Sequence, residues 1–282
     1  MKIAVLSGKG GTGKTFISVN LASVINNSTY ADCDVEEPNG FLFLKPHIES
    51  TEKVSVYVPE VDSVKCDGCR ECAKFCRYNA IAFIKGKPHV FGEMCHSCGG
   101  CALLCHNDAI KEHKREIGFI QYGTAGGIRV CAGVLNNGEV TGVQIIRKLV
   151  NGLPKDGNTV VDCPPGSACT VMESINGADY CILAAEPTAF GLENMEAVFK
   201  LLKLFRKKCG IVINKDTGTG KIIEKFAEDN NIPVLMKIPY DKKIASINAD
   251  GAVAVKDSEY KKIFSSLYSK ISEDAGDAGC RT

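Results

Sequence analysis

The chain has no tryptophan, no apolar run near the ~20 residues of a membrane-spanning helix, and no excess of either charge. The first absence says nothing about function. The second argues against a helical membrane protein. With 34 basic against 33 acidic residues, the net charge of +1 leaves no global field favouring nucleic acid or a lipid surface. The tail after Ile271 lacks the basic amphipathic segment that would hold a protein on a bilayer. No signal peptide opens the chain, because strand-forming residues begin at Lys2. Against these absences stands one excess, 15 cysteines in 282 residues. In an unsecreted chain this implies the reducing cytoplasm, with cysteines serving metal or redox chemistry rather than disulfides.

The stretch Ser7-Gly8-Lys9-Gly10-Gly11-Thr12-Gly13-Lys14-Thr15 carries the pattern G-x-x-x-x-G-K-[ST], with Gly8, Gly13, Lys14 and Thr15 in the fixed places. Ile3-Ala4-Val5-Leu6 before it suits a buried parallel strand. Phe16, Val19, Asn20 and Ala22 to Val24 after it read as a helix with one apolar side. Strand, glycine loop and helix start are the context the pattern requires. The glycines let successive N–H groups turn inward on a phosphate, and the helix N-terminus adds partial positive charge. Lys14 is expected on the β- and γ-phosphates and the Thr15 hydroxyl on Mg²⁺. The nucleotide-binding set is Gly8, Lys9, Gly10, Gly11, Thr12, Gly13, Lys14, Thr15 and Phe16.

Two strands end in carboxylates. Ser28 to Asp32 reads as the second strand, followed by Asp34-Val35-Glu36-Glu37-Pro38-Asn39. Thr159-Val160-Val161-Asp162 runs into Cys163-Pro164-Pro165-Gly166. Carboxylates at the carboxyl ends of parallel strands face the ligand crevice of an open α/β sheet. An aspartate closing an apolar strand beside a phosphate loop is the expected outer-sphere partner of Mg²⁺. Val54 to Val61 reads as a strand leading out of the sheet, and Gly118 to Gly123 returns to it. Further strand runs are Ile128 to Val134, Tyr180 to Ala184, Ile211 to Asn214 and Val234 to Ile238. Helical spacing covers Val140 to Val150 and Leu192 to Arg206. Tyr260, Ile263, Phe264, Leu267 and Ile271 mark a closing helix, with Ser272 to Thr282 expected to be frayed.

Between Val61 and Lys114 the composition changes. Cys66-x-x-Cys69-x-x-Cys72-x-x-x-Cys76 is followed by Cys95-x-x-Cys98-x-x-Cys101-x-x-x-Cys105. Each run is the bacterial ferredoxin pattern of [4Fe–4S] ligands, in which the fourth thiolate reaches the other cluster. The expected quartets are Cys66, Cys69, Cys72 and Cys105 for one cluster, and Cys95, Cys98, Cys101 and Cys76 for the second. Tyr78-Asn79-Ala80-Ile81 echoes Asn107-Asp108-Ala109-Ile110, so the repeat extends past the ligands. Zinc fits poorly, since its sites use two pairs rather than a triplet plus one. Arg77 and His106 stand where such runs usually have proline, which bears on potential and solvent access rather than on ligation. His96 and His106 are surface histidines or proton-coupled tuners. Cys131, Cys181 and Cys209 read as core filling. Cys163 and Cys169 are either packed thiols or redox groups across a dimer, and Cys33 and Cys280 carry no assignment.

The phosphate loop has a second lysine, Lys9, and resembles the deviant P-loop ATPases of the MinD superfamily, which includes the MinD and ParA positioning proteins, the nitrogenase iron protein and the Mrp-type iron–sulfur carriers. The resemblance runs from Gly8 to Pro239. Asp162-Cys163-Pro164-Pro165-Gly166 is similar to the second switch of that group, with Gly166 free to sense a γ-phosphate. Asp34 matches the second aspartate of the first-switch D-x-D pair, which holds the attacking water; Asp32 and Glu37 are further candidates. Glu186-Pro187-Thr188-Ala189-Phe190-Gly191 resembles the P-T-x-x-G turn. The resemblance implies ATP bound between two subunits, with each Lys9 reaching the partner's phosphates. It makes Lys9, Lys14 and Asp34 the catalytic set, and Thr15, Asp34 and Asp162 the magnesium set. Asn214 then reads the base and Pro239 lines the adenine.

The expected architecture is a doubly wound, mostly parallel α/β P-loop sheet from residues 1–60 and 115–282. A small α+β ferredoxin domain with two [4Fe–4S] clusters interrupts it at 61–114. An electron carrier between two switches implies an ATPase that gates electron delivery to a redox partner, as in the nitrogenase iron protein. The alternative is an assembly factor that hands an iron–sulfur cluster or metal cofactor to an acceptor protein. Neither nucleic acid nor membrane is expected as a partner.

Overall fold

A computed structural model of the chain describes residues 1–218 and 220–276. The first strand, β1 (Lys2–Ser7), buries Ala4 and Leu6 in one core and Ile3 and Val5 in another. Burial on both faces is what a continuous apolar run provides in a parallel sheet. Helix α1 (Lys14–Val24) follows the glycine loop, and β2 (Thr29–Asp32) is wholly buried. A short helix, α2 (Gly40–Leu44), leads into the long strand β3 (His47–Val61). The cysteine-rich segment then forms α3 (Glu71–Phe75), the hairpin β4 (Ile81–Ile84) and β5 (Lys87–Val90), and α4 (Gly100–Leu103). Strands β6 (Ile110–Ala125) and β7 (Ile128–Leu135) bring the chain back to the sheet. Alternation follows: α5 (Val143–Asn151), β8 (Thr159–Asp162), α6 (Cys169–Ser174), β9 (Tyr180–Ala185) and α7 (Ala189–Leu204). The last elements are β10 (Cys209–Asp216), α8 (Lys221–Asp229), β11 (Val234–Pro239), α9 (Lys242–Ala249) and α10 (Ser258–Gly276).

The nine-stranded sheet has the order β11-β10-β9-β1-β8-β2-β7-β6-β3. Neighbours from β11 to β7 are parallel, and β6 and β3 join antiparallel at one edge. Ile145, Val171, Met195 and Ile223 of α5 to α8 pack on one face. Phe16, Ile17, Phe264 and Leu267 of α1 and α10 cover the other. This is a doubly wound α/β P-loop architecture. Asp32 and Asp162 are register partners at the carboxyl ends of β2 and β8, next to the loop that follows β1.

The edge hairpin reaches further. Strand β6 pairs with β7 only from Gly118, opposite Leu135, onward. Residues 110–117 pair with β3 alone and run about 25 Å of strand past the carboxyl end of β7. The cysteine-rich segment therefore stands on the ligand end of the sheet.

The strand expected over Val54 to Val61 starts at His47, and the helix expected from Val140 starts at Val143, after Gly142. The closing helix does not fray at Ser272. It continues to Gly276, because Asp274 accepts the Tyr180 hydroxyl at 2.7 Å and pairs with Lys208 at 2.9 Å. The rest of the expected tail, with Cys280, lies outside the described residues. Among those described, no helix is long and apolar enough to cross a membrane.

Candidate functional site

A cleft of 980 Å³ opens at the carboxyl edge of the parallel strands. Ser7 and the run Lys9 to Phe16 form its floor, with Asp34 to Glu37 on one side and Pro164, Pro165 and Ala168 on the other. Gly8 lies behind the floor, against the backbone of Asn194. Side chains hold the loop by its carbonyls. Ser7 Oγ and Thr12 Oγ1 donate to Lys9 O (2.8 and 3.1 Å), Lys215 Nζ to Gly11 O (2.8 Å), and Asn214 Nδ2 to Thr12 O (2.7 Å). The loop amides are the groups left for an anion. Gly13 has φ 92°, and a Cβ there would meet Asn214 Nδ2 at 2.1 Å, so no other residue fits.

Lys14 is buried at the bottom, its Nζ 3.0 Å from Asp162 Oδ1 and 3.4 Å from Asp34 Oδ2. Burial opposes its charge, but Asp162 and then Asp34 hold its pKa above the usual lysine value. Ser18 Oγ donates to the same Asp162 oxygen at 3.2 Å. Asp32, fully buried, accepts the Asp34 N–H at Oδ1 (3.1 Å) and the Gly40 N–H at Oδ2 (2.9 Å). Burial, followed by the adjacent Asp162, pushes the Asp32 carboxyl above the ordinary range, and burial raises Asp34 as well. A phosphate that drew Lys14 away would leave three converging carboxyl groups short of positive charge. Such a site can take a divalent cation beside Thr15.

Lys9 folds back on its own chain. Its Nζ is 2.5 Å from Glu186 Oε2 and 5.4 Å from the centre of the Phe190 ring. Glu186 also pairs with Lys215 at 2.6 Å. Burial works to raise the Glu186 pKa, but Lys215 and Lys9 bring it below its ordinary value. The Gly166 N–H donates to Ser7 O at 2.9 Å, tying the segment after β8 to the start of the glycine loop. The Thr188 hydroxyl caps α7 by accepting the Gly191 N–H at 2.9 Å.

Two expected base contacts are absent from the cleft wall. Asn214 is buried under the loop with its amide spent on Thr12, and Pro239 is an exposed residue ending β11. Beyond Phe16 the wall is instead Leu42, Phe43 and Asn248. Sequence reasoning missed these three, because α2 and α9 come to the cleft only in the folded chain. It also passed over Ser18, one helical turn after Lys14, and Tyr30, on the same strand face as Asp32.

The cysteines divide cleanly. Cys66, Cys69, Cys72 and Cys105 line one cavity, while Cys76, Cys95, Cys98 and Cys101 line another of 230 Å³. The backbone repeats with them: Gly68, Arg70 and Asn79 have positive φ, as do the equivalent Ser97, Gly99 and Asp108. Asp62 N bonds Ala109 O and Phe91 N bonds Ala80 O, so each half is stitched to the other or to its own turn by matching amides. Ser97 N donates to Cys95 Sγ at 3.4 Å, and Ala109 N to Cys105 Sγ at 3.3 Å. Burial pushes the Cys101 thiol up to about 11 and raises Cys72 and Cys95, so a metal taking these sulfurs must displace protons. Each four-thiol cavity is a donor set that could hold a [4Fe–4S] cluster. His96 stacks on Tyr78 at 3.6 Å, and His106 Nε2 is 3.1 Å from Asp67 Oδ2. Cys33, Cys131, Cys163, Cys181 and Cys209 are buried, whereas Cys169 is exposed.

Sheet order, glycine loop and paired strand-end aspartates define a P-loop nucleotide-binding protein. Residues 3–254 match the CobQ/CobB/MinD/ParA nucleotide binding domain, and the chain belongs to that family. The uncharacterized protein MJ0578 of Methanocaldococcus jannaschii is 30% identical over 281 residues, 97% of either chain. The septum site-determining protein MinD of Pyrococcus horikoshii, solved with Mg-ADP, superimposes with a TM-score of 0.61 at 19% identity, over 98% of this chain and 97% of that one. The cell division ATPase MinD of Pyrococcus furiosus gives 0.58 at 19% identity, over 96% and 98%. At that identity the likeness is one of fold.

The raised Asp32 carboxyl carries a pH signature. A folded-state pKa above the unfolded value of about 3.9 contributes stability that is full below that value and is lost as pH rises through the folded one. Relative to Asp32→Asn, the nucleotide-free protein should therefore lose unfolding free energy as pH climbs from about 4 toward 8. Denaturant titrations across that range test it, and a pH-independent difference would rule out the buried proton.

Proposed function

We propose that this protein is an ATP-hydrolysing homodimer whose nucleotide state gates electron transfer through two [4Fe–4S] clusters to a partner protein. The observation that carries it is the pair of four-thiol cavities, matched in backbone, at the tip of a hairpin that leaves the sheet at its nucleotide end. Cys66, Cys69, Cys72 and Cys105 would hold one cluster, and Cys95, Cys98, Cys101 and Cys76 the other. Bound there, the clusters supply one-electron redox capacity.

The remaining roles belong to the cleft. Lys14 neutralises the β- and γ-phosphates. Thr15 and Asp34, with Asp162 behind them, hold Mg²⁺, and Asp34 orients the attacking water. Lys9 leaves Glu186 to reach the nucleotide of the second subunit. Pro164, Pro165 and Gly166 follow the γ-phosphate once Gly166 releases Ser7.

Communication with the cysteine segment is supported by hydrogen bonds across the sheet edge. The Leu135 N–H at the end of β7 donates to Val35 O, in the loop that bears Asp34, at 2.9 Å. Arg115 on β6 donates to Gly92 O at 3.0 Å and forms a two-pronged ion pair with Glu139, just beyond β7. Cys95 also packs against the main core. Movement of the first-switch loop thus has a short route to one cavity.

Three outcomes are expected. Anaerobically purified protein should contain about eight iron and eight sulfide per chain, with Cys66→Ala and Cys95→Ala each damaging a different cluster. Stoichiometric zinc in their place would sink the assignment. Lys14→Ala should abolish ATP binding, whereas Asp34→Ala should bind ATP and hydrolyse it about 10²–10⁴-fold more slowly. Wild-type turnover by Asp34→Ala would show the water-orienting group to lie elsewhere. The third measurement is a redox titration followed by electron paramagnetic resonance, with ADP and then with a non-hydrolysable ATP analogue. A coupling energy of ~1–3 kcal/mol corresponds to a midpoint shift of roughly 40–130 mV for one electron. Equal midpoints, with labelled iron passing to an acceptor protein on ATP addition, would replace gating by cluster delivery.

A further inference from the structure

Strand alternation sets Tyr30 and Asp32 on one face of β2, and the parallel register sets Asp32 beside Asp162. The buried Tyr30 hydroxyl lies 3.0 Å from Asp162 Oδ2 and 3.3 Å from Asp32 Oδ2. It has one proton, so it donates to one carboxyl group at a time. Each carboxyl group governs a different part of the cleft. Asp162 holds Lys14 and Ser18 through its other oxygen. Asp32 holds the N–H groups of Asp34 and Gly40, which fixes the loop bearing Glu36 and Glu37 at both ends. Gly40 is shaped to this contact: a Cβ there would meet the Tyr30 hydroxyl at 2.2 Å.

We propose that Tyr30 is a positioning residue whose single proton couples the Asp162 side of the cleft to the first-switch loop, through Asp32 and Gly40. The proposal deepens the nucleotide reading and rests on it. When Lys14 leaves Asp162 for a phosphate, Asp162 becomes the stronger acceptor and keeps the hydroxyl. When Asp162 regains positive charge opposite it, the hydroxyl turns to Asp32 Oδ2, which also accepts the Gly40 amide at 2.9 Å. A second donor on that oxygen draws off charge and weakens the Gly40 bond. The loop from Cys33 to Gly40 then loosens or tightens with the state of Asp162. A tyrosine that merely filled space would be replaced by phenylalanine without consequence for this exchange.

The test uses the full-length protein and Tyr30→Phe, which keeps the ring. Losing one hydrogen bond to a charged group should lower kcat about tenfold or more, while the KM for ATP stays within about twofold. The second readout is amide hydrogen exchange of residues 33–44 with and without Mg-ADP. Wild-type protein should change protection there on binding, and Tyr30→Phe should lose that change while its other segments exchange as before. If Tyr30→Phe does not fold, site-specific fluorotyrosine at position 30 keeps the shape and strengthens the donor. It should alter the same exchange response, and an unaltered response would overturn the coupling. Unchanged kcat and an unchanged protection difference in Tyr30→Phe overturn it too. Wild-type protein that binds no nucleotide overturns the nucleotide reading itself, and the coupling with it.

Discussion

A lysine ammonium buried under the glycine loop is the constraint on which the rest of this structure depends. An unpartnered cation at that depth would shed its proton or unfold the site, since breaking a buried pair costs about 3–5 kcal/mol. Asp162 and Asp34 supply the counter-charge, and they reach Lys14 only because β8 and β2 lie successively beside β1. That adjacency requires parallel strands with crossovers on both faces, and hence apolar runs buried from two sides. The same ion pairs make the cleft exchangeable. A phosphate offers Lys14 a better partner, and the vacated carboxyl groups then favour a divalent cation. Under the proposed nucleotide reading, the two would bind cooperatively by charge alone.

The legible part of the chain was the part written in local pattern. The glycine loop, the apolar strands and the strand-end aspartates follow from spacing and from the rule that ligands gather at carboxyl ends. The eight cysteines that fall into two cavities were legible for the same reason, since a repeated spacing produces repeated backbone, down to paired positive φ at Arg70 and Gly99. Long-range placement was not legible. Asn214 was expected to end its strand, but β10 runs on to Asp216, and the Asn214 amide serves Thr12 O from beneath the loop. Leu42, Phe43 and Asn248 belong to elements whose place at the cleft is set by packing. Tyr30 could have been singled out as the one large side chain of β2, with a polar tip two residues before the strand-end carboxylate.

The edge hairpin explains how an inserted segment can be large without disturbing the sheet. Insertions into a parallel core must break a crossover, whereas a terminal antiparallel pair can lengthen freely. Strands β3 and β6 do so while keeping Val54, Val56, Ile117 and Ile120 in the main core. Their extension past the end of β7 carries the segment to the ligand end, and Arg115 braces it against the loop after β7. A stiff paired ribbon transmits displacement better than a tether would.

Glu186 shows how a resting arrangement can be held without becoming a trap. It binds Lys9 and Lys215 together, and the Lys9 side chain is 30% exposed. The Phe190 ring adds a cation–π attraction to this ion pair with the largely buried Glu186. When Lys9 departs, Glu186 keeps Lys215, so no buried carboxylate is left alone. Lys215 in turn keeps its bond to Gly11 O, and the phosphate loop retains its shape. A single acid shared by two lysines lets one of them move while the other preserves the site.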